Sequence, residues 1–137
     1  MSDMPIIPTN VSPAFQLFPP EHRDTLLEMR ELIFEVARTD PRIGVVLEEL
    51  RWGEPAYITA NKKTGSTIRL GIEKASGLPA LFFICSTSLV EDFRIQFGEL
   101  LTYSKNRAVL IDRNDSQHKS ALGMCIASAL TYHLRKN

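Results

Sequence analysis

Cysteine is scarce in this chain of 137 residues, tryptophan is scarcer, and net charge is absent. The two cysteines, Cys85 and Cys125, fall in an expected strand and an expected helix with apolar neighbours. They exclude the dense disulfide framework of a small secreted domain and read as reduced core residues, with a single bridge between them left open. The 16 basic and 16 acidic side chains cancel, so no global field draws in nucleic acid or an anionic membrane. An electrostatic function would therefore need local segregation of charge. The longest apolar run, 78–85, is too short to span a bilayer. The N-terminal MSDMPIIPTNV lacks the basic start and apolar core of a signal peptide, so the expected location is the cytoplasm. No Walker loop, GxGxxG, HExxH or nucleophile elbow occurs, and enzymatic activity has no motif behind it.

What is present is the composition of an ordinary globular protein, 44% apolar and 23% charged, at a length that fits one domain. Residues 1–11, with two prolines, read as a mobile N-terminal arm, and 12–137 as a single domain. Ser12-Pro13 signals a short helical piece, closed by Pro19-Pro20. A long helix is expected over 20–38, ended by Asp40-Pro41, and a further helical segment over 41–50. Gly53 then reads as the left-handed cap of that segment and Pro55 as the residue that stops it resuming. Glu54, preceding a proline, is pushed to extended geometry and opens a strand. From there the period is two. Strands are expected over 57–60 and 67–73, a fully apolar and hence central one over 81–84, and a hairpin over 100–103 and 107–111. A short helix is expected over 89–97 and a closing one over 116–135, with Asp115 as its cap and His133, Arg135 and Lys136 complementing its dipole. The pattern predicts an α+β fold: an antiparallel sheet of about five strands, with the N-terminal helices and the C-terminal helix packed on one face.

The order of these elements and the junction Trp52-Gly53-x-Pro55-x-Tyr57 resemble the YdhG-like domain family, over about residues 20–134. The apolar strand at 81–84 and the strand 108–111 feeding the last helix are further points of similarity. Relatives of that family include a frataxin-like bacterial iron chaperone. The resemblance implies a compact α+β domain with at most an iron- or ligand-handling role, and it brings no agreed catalytic set.

Two groups of residues invite a function. At about 100° per residue, Glu21, Asp24, Glu28, Glu31 and Glu35 share a stripe less than a quarter-turn wide on the first long helix, apart from Leu26, Met29, Ile33 and Val36. Like charges at i,i+4 cost a few tenths of a kcal/mol each. Oxygen ligands in a row suit weak binding of hard cations, ferrous iron among them, although a solvated amphipathic face explains the same spacing. Trp52, Glu54 and Tyr57 form the second group, two amphipathic rings and a carboxylate that either line a small-molecule pocket or plug the core. Leu27 and Phe34 offer a contact for a partner or a second copy unless Phe15, Leu17 and Phe18 cover them. The carboxylates and His118 of the segment 112–118 are accounted for by an Asp115 cap. The basic points Lys62-Lys63, Lys105 with Arg107, and Arg135-Lys136 read as solvated turns or ends. The chain therefore reads as a non-enzymatic binding domain that requires no cofactor. Its most concrete version binds ferrous iron weakly and delivers it; the alternatives are a protein-interaction or homodimerisation module and a small-molecule binder.

Overall fold

The computed structural model describes residues 4–135 and has an α+β architecture. The first three residues of the arm and Lys136 lie outside the described residues. Helices α1 (Ser12–Leu17) and α2 (Pro20–Thr39) lead into strands β1 (Val46–Arg51), β2 (Glu54–Thr59), β3 (Ile68–Ile72) and β4 (Pro79–Phe83). Helix α3 (Leu89–Phe97), strands β5 (Thr102–Ser104) and β6 (Ala108–Leu110), and helix α4 (Ser116–Leu130) complete the chain. All pairings are antiparallel, in a six-stranded sheet of order β1-β2-β3-β4-β6-β5. The sheet thus has one strand more than the five expected.

The extra strand replaces the helical segment expected over 41–50. Val46–Arg51 pairs along its whole length with Glu54–Thr59, from Val46↔Thr59 to Arg51↔Glu54. Trp52 and Gly53 form the two-residue turn between them, with φ of +57° and +76°. Both central residues at positive φ is the geometry that matches the twist of a tight hairpin. Gly53 is therefore a hairpin glycine, not a helix cap. The segment 45–51 carries apolar residues at helical spacing, but pairing with β2 decides the outcome.

Helices cover one face of the sheet. Leu26, Met29 and Ile33 of α2, and Leu122, Cys125, Ile126 and Ala129 of α4, are buried with Tyr57, Ile68, Leu70, Leu81 and Val109 in one core. Full burial of one such aliphatic side chain contributes about 1.5–3 kcal/mol. β4 is buried at every position, as its unbroken apolar run predicts. Asp115 caps α4, its carboxylate accepting from the His118 backbone N–H at 2.8 Å. Arg135 donates to the Ser128 carbonyl in the last turn. The chain from Met4 to Val11 lies against this core: Val11 is fully buried, and the Pro5 carbonyl accepts from Arg30 at 2.7 Å.

Among the described residues, no helix covers the opposite face. The register puts Glu54 and Ala56 of β2, Arg69 and Gly71 of β3, Ala80 and Phe82 of β4, Ala108 and Leu110 of β6, and Ser104 of β5 on this side. Ala80, Phe82, Ala108 and Leu110 form a second, small apolar cluster there.

Candidate functional site

The open sheet face has a cleft of about 460 Å3. Four separate stretches of chain build it. The β1–β2 turn supplies Trp52, which is 89% exposed. A tryptophan in the left-handed region is costly, because its Cβ approaches the following carbonyl. Burial does not compensate for that cost here.

Glu54, Arg69 and Phe82 form the floor. Arg69 Nη1 donates to Glu54 Oε1 at 2.5 Å, and its guanidinium lies 5.3 Å from the centre of the Phe82 ring. Arg107, entering β6, lies over the same ring at 5.6 Å. Phe82 is thus a flat apolar base under two guanidinium groups, an arrangement that keeps the cations in place at little entropic cost. Gly71 makes room for the Glu54 carboxylate: a Cβ at that position would stand 2.0 Å from Glu54 Oε2. Burial raises the Glu54 carboxyl above its usual range against the opposing pull of Arg69.

The remaining wall is the turn between β3 and β4. It crosses the sheet, with Glu73 at the end of β3 accepting from the Ser104 hydroxyl of β5 at 3.1 Å. Glu73 also accepts from the backbone N–H of Ser76 at 2.9 Å. Its carboxyl is held below the ordinary range by its Ser76 hydrogen bonds. Lys74, Lys105 and Arg107 also line the cleft, and none forms an ion pair with a described residue. Arg69 is paired with Glu54, and Glu73 offsets one more cation, so the cleft keeps a net positive charge. An exposed indole beside a net excess of cations suits an anionic ligand with a planar part.

The sequence grouped Trp52, Glu54 and Tyr57, and the structure separates them. Trp52 and Glu54 line the cleft, whereas Tyr57 is fully buried on the helix side of the sheet. Its hydroxyl donates to Glu48 Oε2 at 2.8 Å, and Arg30 holds the same carboxylate through Nε at 2.6 Å and Nη2 at 2.9 Å. Its ring meets Phe34 edge-on, centroids 5.8 Å apart. Burial and the Glu48 charge push the Tyr57 phenol far above its ordinary pKa. Tyr57 is therefore structural, part of a buried network that ties α2 to β1 and β2. The parity of a strand carried the signal for this: positions 54 and 57 differ by an odd number and must face opposite sides. Trp52, for its part, plugs no core.

Phe34 is buried in that network and Leu27 is half-buried against the core, while Leu17 of α1 stands exposed. Glu21, Asp24, Glu28, Glu31 and Glu35 are all exposed on α2. Among the described residues, no group of three His, Cys, Asp or Glu is placed to hold a metal ion. Cys85 follows the end of β4 and is exposed, not a core residue, because the strand stops at Phe83. Cys125 is buried in α4, its thiol pushed up to about 12 by burial. Both thiols are free. Lys62 and Lys63 stand in an exposed turn, but Lys105 and Arg107 belong to the cleft. Arg69, Phe82 and Arg107 were missed because only strand pairing brings them together.

A second concavity, of about 350 Å3, opens between α2 and the start of α4. His118 lines it, is 0% exposed, and has neither ring nitrogen in a hydrogen bond. Its Nε2 lies 3.5 Å from Asp112 Oδ1, whose other oxygen accepts from Thr102. Burial pushes the imidazole pKa down; Asp112 opposes the shift, as does the Arg113 carbonyl from outside hydrogen-bonding geometry.

No family model matches this chain, and neither a curated protein nor a solved structure is significantly similar to it. The resemblance to YdhG-like domains therefore rests on the residues quoted for it, and the function on the geometry of the two concavities.

Proposed function

We propose that this chain is a binding domain that takes a small anion with a flat ring on the open face of its sheet. The observation that carries the reading is Trp52. It is an almost fully exposed ring, kept at positive φ on the rim of a cleft lined by four cations against two carboxylates, Glu54 and Glu73. Strain retained without a packing return points to a contact made with something else. The indole provides a stacking face, and Arg107, Lys105 and Lys74 provide charge-assisted hydrogen bonds to phosphate or carboxylate oxygens. Support for this ligand exceeds that for ferrous iron on α2, whose five carboxylates are solvated and do not converge.

Trp52 is the sole tryptophan, so its fluorescence reports on the cleft directly. Titration with adenosine monophosphate, a minimal flat-ring anion, is expected to give a saturable change at up to about 10 mM. The response should weaken with salt and be lost in Arg107→Ala. An absence of saturation, or an undiminished response in Arg107→Ala, would overturn the proposal.

A further inference from the structure

We propose that the cavity between α2 and α4 is a second, independent binding site, for a small zwitterion of the α-amino-acid class with an apolar side chain. It shares no lining residue with the cleft on the open sheet face. His118 is the first observation. The buried imidazole has neither ring nitrogen in a hydrogen bond, Nε2 standing 3.5 Å from Asp112 Oδ1, which is costly unless something in the cavity completes its bonding. Its depressed basicity keeps the ring neutral near pH 7, so it offers both functions at once.

The charges are the second observation. Glu28 from α2 and Asp112 from the loop after β6 stand in the lining with Arg113 and Lys119. Arg113 is already paired with Asp115 at 3.1 Å, whereas Lys119 forms no ion pair with a described residue. A simple anion would meet Glu28 and Asp112, and a simple cation would meet Lys119 and Arg113. A molecule carrying both an ammonium and a carboxylate satisfies both sets. The apolar part of the wall, Met29, Leu78, Ile111 and Leu122, suits an aliphatic or thioether side chain, and 350 Å3 is at the small end of ligand pockets. Among the described residues, no three potential metal ligands converge there.

The test is a titration of 15N-labelled protein with L-leucine and L-methionine, read at the His118 ring nitrogens. Isoamylamine and isovalerate, each lacking one of the two charges, are the controls. Saturable movement of the ring nitrogens is expected with the amino acids, and binding about tenfold weaker in Glu28→Gln and in Lys119→Gln. Both substituted positions are exposed, so the fold is retained. The proposal falls if neither amino acid moves the ring nitrogens at about 10 mM, which would leave ordered water as their partner. It also falls if either control binds as tightly as the amino acids. Shifts confined to Trp52 would overturn it while leaving the sheet-face reading intact.

Discussion

Replacing Trp52 by asparagine should make the protein more stable and less able to bind. At 89% exposure the indole buries only about a tenth of the surface that a core tryptophan buries, roughly 25 Å2. Losing that burial costs about 0.6 kcal/mol. Against it stands the left-handed backbone at φ +57°, which disfavours an ordinary side chain by about 1–2 kcal/mol and which asparagine adopts readily. Asn-Gly is also the preferred pair for this hairpin turn. The balance favours Trp52→Asn by about 0.4–1.4 kcal/mol, equivalent to a rise in Tm of about 1–5 °C. Trp52→Ala keeps the backbone cost and loses the ring, so it should be neutral or destabilised by about 0.6 kcal/mol. Urea denaturation followed by far-ultraviolet circular dichroism measures both variants without the lost fluorophore. Adenosine monophosphate affinity, measured by calorimetry, should fall in both. Destabilisation of Trp52→Asn by 1 kcal/mol or more would show that the ring is packed, and the strain argument would fail.

The buried network between α2 and β1 predicts an order. Glu48→Gln leaves Arg30 buried without its charge partner and should cost about 3–5 kcal/mol, whereas Tyr57→Phe removes one hydrogen bond to a carboxylate still held by Arg30 and should cost about 1.5 kcal/mol. Equal costs in urea unfolding would contradict that division. Two glycines give a second ordered pair. At Gly65 a Cβ would lie 2.5 Å from the Leu130 carbonyl oxygen, fixed backbone, so Gly65→Ala should cost more than about 2 kcal/mol. At Gly71 it would meet the end of the Glu54 side chain, which can move, so Gly71→Ala should cost less while breaking the Glu54–Arg69 pair. Finally, burial lowers the His118 pKa, so the unfolded chain takes up a proton that the native imidazole resists. Stability should decline as pH falls through about 6.5, with a shallower decline in His118→Gln. The charged groups facing the ring are Asp112, Arg113 and Asp115 from the loop, Lys119 from α4, and His22 and Glu28 from α2. Comparing the two proteins cancels the opposite contribution of Glu54, whose raised carboxyl pKa favours the native state at low pH. Parallel pH profiles would rule out His118 as the group responsible.

Those elements whose period is set locally were legible in the sequence. Helix α2 shows its apolar stripe at Leu26, Met29 and Ile33, β4 its continuous apolar run, and α4 both its Asp115 cap and its buried face. β1 was not, because Val45, Val46, Leu47 and Leu50 fit helical spacing and an X-Gly pair serves equally to cap a helix or turn a hairpin. Only the partner strand distinguishes the two, and a partner is not a local property. The cleft was half legible for the same reason. Trp52 and Glu54 are marked by their turn, but the cations that give the cleft its sign come from the β3–β4 turn and the approach to β6. His118 was explained by its neighbour's capping role, and nothing in a sequence reports that a ring nitrogen has been left without a partner.

Zero net charge left local segregation as the only basis for an electrostatic function, and the fold provides some. The unpaired cations of the cleft, Lys74, Lys105 and Arg107, lie on the open face of the sheet, while Glu21, Asp24, Glu28, Glu31 and Glu35 stand exposed on a helix that covers the other face. Arg23, Arg30 and Arg38 stand on the same helix as those acids, so charge is segregated locally and not between the two sides of the molecule. An anion nearing the sheet face meets the local excess of cations in the cleft, an attraction that acts before contact and weakens as salt shortens the Debye length. The stripe on α2 costs a few tenths of a kcal/mol for each i,i+4 repulsion, a cost that a solvated face tolerates.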